Sequence, residues 1–134
     1  MQADFWRYAV IYQYGGIYLD IDIEPLKPIK EWKHYPFDKL QVLIGLENGF
    51  HLCQWGFIAA PRQPLFAEIL RVIRDKWEHE RNNTEFPEYY EHFVHGYSGP
   101  GIFTNAINNF LELDPDTHSD KILEFYRNES SPVR

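Results

Sequence analysis

The sequence predicts a mixed α/β domain in which helices cover a small sheet. Three observations carry that reading: a helix-period segment that stops at a double glycine, a β-rich run that stops at prolines, and a long amphipathic stretch over residues 64–80. Residues 3–14, ADFWRYAVIYQY, set Phe5, Ala9 and Tyr12 on one helical stripe and Trp6, Val10 and Gln13 on the next. Gly15 and Gly16 then supply the left-handed stop that commonly follows a helix.

The run from Ile17 to Ile23 alternates as a strand does. Ile17, Leu19, Ile21 and Ile23 fall on one face and Tyr18, Asp20 and Asp22 on the other, until Pro25 and Pro28 end it. Lys27 to Leu40 is aromatic and punctuated by prolines, so a loop is expected. Two further strands are expected at Gln41–Glu47 and Trp55–Ala60, separated by ENGFHLCQ and closed by Pro61. In the stretch from Pro64 to Glu80, Leu65, Ile69, Val72, Ile73 and Trp77 form the apolar stripe, opposite Glu68, Arg71, Asp75 and Lys76. Arg81 to His95 is polar and aromatic, SGPG at 98–101 makes a turn before a helix running to about Leu113, and KILEFY at 121–126 offers a last strand. With no repeat, low-complexity tract or internal boundary, residues 1–134 read as a single domain or a piece of one.

Composition narrows the class. At 44% hydrophobic and 17% aromatic the chain can pack a core, which excludes disorder. The net charge is −7 and the lysines and arginines are scattered, so no stripe for a phosphate backbone exists and nucleic acid is excluded as a partner. The single cysteine, Cys53, rules out an internal disulfide and a cysteine-based zinc site. No run of about 18 apolar residues is present, and the chain enters a helical pattern without a cleavable leader. Membrane attachment is expected only through an anchor in a longer parent chain. Asn82-Asn83-Thr84 and Asn128-Glu129-Ser130 are glycosylation triplets.

The unusual feature is the acidic end of the first strand. Asp20 and Asp22 at i and i+2 project to one side about 7 Å apart, from a rise of ~3.3 Å per residue. Like charges so placed favour a cation or a basic partner. A hard divalent ion suits them, because it is held by one or two carboxylates and completes its shell with water and phosphate oxygens. A bare D-x-D also fits a solvated strand end facing Lys27 and Lys30. A calcium loop does not fit, since Pro25 stands where its invariant glycine is needed.

Other chemistries lack their motifs. The six histidines show no metal-ligand spacing, and no G-x-S-x-G, P-loop or G-x-G-x-x-G occurs. The segment ADFWRYAVIYQYGGIYLDIDIEPLKPI, by contrast, combines a helix carrying Asp4 and an Arg-Tyr pair, a Tyr-Gly-Gly turn, and a strand ending Tyr-hydrophobic-Asp-x-Asp. It resembles the DXD-containing sugar transferases of glycosyltransferase family 32. HLCQWGFIAAPRQPLF at 51–66 and SGPGIFTNAI at 98–107 are similar, in the same order, to segments of the fungal initiating α-1,6-mannosyltransferases.

The resemblance implies a GT-A-like fold, a mixed sheet flanked by helices. It implies that Asp4 and Arg7 hold the donor hexose, that Asp20 binds donor hydroxyls, and that Asp22 coordinates Mn2+, with Mg2+ as the alternative. Asp20 and Asp22 are thus the expected catalytic pair. Asp4 and Arg7, at i,i+3, also fit an ordinary helix ion pair. Tyr18 shares the aspartates' strand face and is a candidate to stack on the donor, although strand tyrosines also simply pack. Gly99 and Thr104 sit where a helix start would approach a diphosphate or acceptor, or form a plain turn. Glu47 ends a strand and is a candidate acceptor contact.

The implied reaction is retaining transfer of mannose from GDP-mannose to a mannosyl glycan acceptor in protein N-glycosylation, in the Golgi lumen where the parent chain has a signal anchor. Two departures stand against the family pattern. The nucleotide-binding half that precedes the DXD strand is not in this sequence, and no late histidine followed by Ser-Trp occurs, since His118 is in another setting. An incomplete domain is therefore expected, and a non-catalytic carbohydrate-binding or interaction module is the alternative function.

Overall fold

The computed structural model describes residues 2–32, 39–81 and 93–112. Helix α1 spans Gln2–Tyr14, strand β1 Gly16–Leu19, β2 Val42–Leu46 and β3 Leu52–Ala59; helices α2, α3 and α4 span Pro64–Glu80, Phe93–Tyr97 and Pro100–Phe110. Among the described residues, a 3-10 turn, Ile29–Glu31, interrupts the segment expected to be a loop. The expected last strand at 121–126 and both glycosylation triplets lie outside the described residues.

Backbone stereochemistry sets the first junction. Gly15 closes α1 by donating its N–H to the Ile11 carbonyl at 2.8 Å, with φ at +65° and Gly16 following at +106°. A side chain at Gly15 would also stand 2.6 Å from the Pro61 backbone nitrogen, so this turn needs glycine for space as well as for torsion. The double glycine thereby feeds β1 directly into the sheet.

That sheet has the order β1-β3-β2, and both pairings are antiparallel. The mixed sheet expected from the family resemblance is therefore corrected: among the described residues every ladder is antiparallel. β3 is central and starts at Leu52, three residues before the expected start, so the residues LCQ belong to the strand rather than to the connection. The connection is compact because Asn48 Oδ1 accepts the backbone N–H groups of Phe50 at 2.8 Å and His51 at 2.9 Å. A register shift between Ile44 and Leu46 marks where β2 leaves regular pairing.

β1 is shorter than the alternating pattern implied. Its last ladder bond is Asp20 N–H to the Trp55 carbonyl at 2.8 Å, after which Ile23 N–H bonds back to the Asp20 carbonyl at 3.0 Å. A turn replaces the strand, and Ile21 is fully exposed. Tyr18 and Asp20 keep the expected common face. Asp22 does not share a strand with them, which removes the like-charge crowding a second strand carboxylate would cause.

All the described helices that build the core lie against one face of the sheet. Tyr8, Phe57, Phe66, Ile69, Phe103, Ala106 and Ile107 are buried at its centre, each large side chain contributing about 1.5–3 kcal/mol on burial. Tyr8 stacks on Phe103 with ring centroids 5.4 Å apart, and Phe57 touches Phe66 at 5.2 Å. α2 buries Leu65, Ile69 and Ile73, as its stripe predicts, and Phe66 beside them, whereas Trp77, expected on the stripe, is exposed near the helix end. α1 forms as its spacing predicts, but neither stripe is its buried face: Phe5 and Trp6 are exposed, and Asp4, Arg7, Tyr8 and Ile11 are buried. Apolar residues surround α1, so periodicity could not choose its inner face; the partners of the polar pair did.

Candidate active site

Three elements bring the sequence-predicted residues together. The buried face of α1 offers Asp4 and Arg7 one turn apart, the end of β1 offers Tyr18 and Asp20, and the start of α4 approaches through Ser98 and Gly99. Arg7 Nη2 lies 3.1 Å from Asp4 Oδ1 and 3.5 Å from Asp20 Oδ1. One guanidinium thus pairs with two carboxylates from different elements, and its carbon lies 5.0 Å from the centroid of the Tyr18 ring.

Asp20 is held in place from two sides. Tyr18 donates its hydroxyl to Asp20 Oδ1 at 2.6 Å, while the Arg7 contact falls on the same oxygen. Oδ2 is left as the oxygen to accept a ligand hydroxyl. Asp20 also retains about a third of its side-chain surface, 31%, against 10% for Arg7 and 11% for Asp4. Burial, and then the bond to Asp20, push the Tyr18 phenol above its usual range. Tyr18 therefore stays a hydrogen-bond donor throughout the physiological range.

Behind this pair is a buried polar layer that the sequence patterns did not single out. Ser98 Oγ donates to Asp4 Oδ2 at 2.7 Å. Arg7 Nη1 donates to the Gln54 carbonyl at 3.3 Å, and Gln54 Nε2 donates to the Ser98 carbonyl at 2.8 Å. The Tyr8 hydroxyl donates to that same carbonyl at 2.9 Å and accepts from Gln54 Nε2. Burial pushes the Tyr8 phenol well up. The available signals for this layer were SGPG beside a helix start and a glutamine inside an apolar strand.

The remaining expected residues are placed differently. Gly99 is buried at the start of α4, where a Cβ would come within 2.8 Å of His95 Cα and the Val94 carbonyl. Thr104 is also buried, and its hydroxyl accepts the Leu52 N–H at 2.9 Å, anchoring the start of β3. Both are structural supports in this arrangement. Glu47 is exposed at the end of β2, the sheet end that also carries Asp20. Cys53 lies between them: burial chiefly raises its thiol, and the charges of Glu47 and Asp20 add to the effect.

Asp22 occupies the exposed turn after Asp20. No group of three or more histidine, cysteine or acidic side chains converges among the described residues. The donor set nevertheless suits a hard divalent ion of the magnesium type, which takes one or two carboxylates and keeps sites for water and phosphate oxygens. Asp22 supplies an exposed carboxylate, and Asp20, two residues earlier, a second one.

Residues 1–38 match the model of a family described as glycosyltransferase sugar-binding region containing DXD motif. The chain belongs to this DXD glycosyltransferase family. Its members generally use a divalent metal, in keeping with the open Asp22 carboxylate. The chain is 33% identical over 126 residues to the initiation-specific alpha-1,6-mannosyltransferase of Schizosaccharomyces pombe, covering 83% of this chain and 32% of that protein. Its counterpart in Candida albicans is 26% identical over 148 residues, covering 90% of this chain and 38% of that protein. The human alpha-1,4-N-acetylglucosaminyltransferase is 29% identical over 114 residues, covering 85% and 27% respectively. This DXD glycosyltransferase chain thus spans about a third of the length of the curated relatives it matches. No solved structure matches it significantly.

Proposed function

We propose that the chain is the sugar- and metal-handling portion of a GT-A-type retaining glycosyltransferase that moves mannose from GDP-mannose to a mannosyl glycan acceptor. The observation that carries this reading is the Asp20 carboxylate, fixed through Oδ1 by Tyr18 and Arg7 and followed at once by the exposed Asp22. A carboxylate held in this way accepts a sugar hydroxyl without first losing rotamer freedom. Mannose as the sugar is supported by the names of the Schizosaccharomyces pombe and Candida albicans relatives.

In this reading Asp20 Oδ2 accepts a hexose hydroxyl, and Arg7 and Asp4 fix Asp20 from beneath while their residual exposed edges border the sugar. Tyr18 donates to Asp20 and presents its ring beside the donor. Asp22 holds Mn2+ or Mg2+, which when bound neutralises the charge that develops on the departing diphosphate. No side chain is assigned as a covalent nucleophile; the acceptor hydroxyl attacks on the face the diphosphate leaves as the sugar–diphosphate bond breaks, and its proton passes to a phosphate oxygen of the leaving group. Glu47, at the same sheet end, is assigned to the acceptor side.

Manganese-dependent hydrolysis of GDP-mannose, compared between the wild-type chain and Asp22→Asn, tests the proposal. Metal-stimulated turnover that drops about a hundredfold in the variant, with an unchanged melting temperature, is expected. Binding of free mannosyl glycan without any binding or turnover of GDP-mannose would instead establish the non-catalytic carbohydrate module.

A further inference from the structure

We infer that Ser98 is a positioning residue for donor-sugar recognition, acting through Asp4; the inference rests on the transferase reading above. Ser98 closes a ring of four residues. Asp4 Oδ1 meets Arg7 Nη2 at 3.1 Å, Arg7 Nη1 donates to the Gln54 carbonyl at 3.3 Å, Gln54 Nε2 donates to the Ser98 carbonyl at 2.8 Å, and Ser98 Oγ donates to Asp4 Oδ2 at 2.7 Å. All four residues are at least nine-tenths buried.

The ring fixes the carboxylate plane of Asp4. With Arg7 on one oxygen and the Ser98 hydroxyl on the other, rotation about the last side-chain torsion would break a charge-assisted bond in a site that water scarcely reaches. Asp4 in turn sets the guanidinium that holds Asp20. A hydroxyl on α4's approach therefore controls the orientation of the carboxylate at the end of β1.

Ser98 is itself fixed through its backbone. Its N–H donates to the Val94 carbonyl at 3.1 Å, and its carbonyl accepts from both Tyr8 and Gln54. The next residue cannot carry a side chain without meeting α3. Since three of the bonds at residue 98 are backbone bonds, replacing the side chain removes the Asp4 contact and leaves the rest of the turn intact. The sequence offered no sign of this, because Ser98 and Asp4 are 94 positions apart.

The test compares wild type, Ser98→Ala and Ser98→Thr for GDP-mannose affinity by calorimetry, for donor KM, acceptor KM and kcat, and for thermal unfolding. Ser98→Ala is expected to weaken donor binding about tenfold, the scale of one hydrogen bond to a charged group. Its acceptor KM should stay close to wild type, its melting temperature should fall by only a few degrees, the cost of one buried hydrogen bond, and Ser98→Thr, which keeps the hydroxyl, should recover most of the affinity. Wild-type donor affinity in Ser98→Ala overturns the inference alone. So does a loss fully accounted for by unfolded protein at the assay temperature, or one that Ser98→Thr fails to repair while remaining folded. A wild-type chain that binds no sugar nucleotide overturns the transferase reading and this inference with it.

Discussion

Helices α1 and α2 each carry an acid and an arginine at i,i+3, and the two pairs differ in everything except spacing. On α2, Arg71 meets Glu68 at 2.5 Å and Asp75 at 2.6 Å, with the Arg71 side chain 52% exposed. On α1, Arg7 meets Asp4 at the longer distance of 3.1 Å, with the Arg7 side chain 10% exposed. The shorter contacts are the less consequential ones, because water screens them and solvates either partner after the other is removed. The longer contact has no such substitute. Losing Arg7 would take the neighbouring positive charge from the buried Asp4 carboxylate, which keeps the Ser98 hydroxyl, and release Asp20, which belongs to a different element.

The largest expected effect sharpens this contrast. Arg7→Ala should destabilise the fold by about 3 kcal/mol or more, the usual cost of breaking a buried pair, and should abolish donor binding. Denaturant unfolding alongside donor calorimetry checks both. A stable Arg7→Ala protein would mean that the α1 pair is as replaceable as the α2 pair.

Tyr18→Phe comes next. It removes the hydroxyl from Asp20 Oδ1 but leaves the ring against Phe57 and beneath Arg7. Donor affinity should fall about fivefold, equivalent to about 1 kcal/mol, with little change in unfolding. Equal donor affinity in the variant would remove Tyr18 from the site.

A pH series separates the two regions by sign. Burial raises the Tyr8 and Tyr18 phenols in the folded chain, so their contribution is fully present below the unfolded tyrosine value of about 10 and is lost as pH rises beyond it. Stability should therefore decline in alkali, and Tyr8→Phe should flatten part of that decline. On α2 the bonds to arginine lower Glu68 and Asp75. Their contribution is present above the unfolded carboxylate values and fades as pH falls through the folded ones, only weakly because both pairs are exposed. Melting temperatures across the two limbs check the signs.

The smallest expected effect is at Arg71→Ala. It should leave donor affinity unchanged and the melting temperature close to wild type, with any difference vanishing in added salt. A marked loss of stability would erase the distinction between the two helices.

Legibility from sequence followed the range of the interaction. Gly15, Tyr18, Asp20 and the α2 stripe were readable because torsion, two-residue alternation and helical period are set by neighbours along the chain. Asp22 was readable as a carboxylate but misplaced on the strand, since ladder pairing ends at Asp20 and a turn takes over. Which face of α1 turns inward was not readable, because a helix with apolar residues on every side has no periodic preference.

By itself, then, the sequence determined where α1 stops, that Tyr18 and Asp20 share a face, and which residue types could meet a sugar and a divalent ion. Only the tertiary structure decided that the Asp4 and Arg7 pair faces inward, that one guanidinium serves both Asp4 and Asp20, and that Ser98 and Gln54 complete the ring, 94 residues from Asp4 and 47 from Arg7 respectively. The physical reason is burial. A charged pair acquires its orienting force when packing removes water from around it, and that removal depends on elements far apart in the chain.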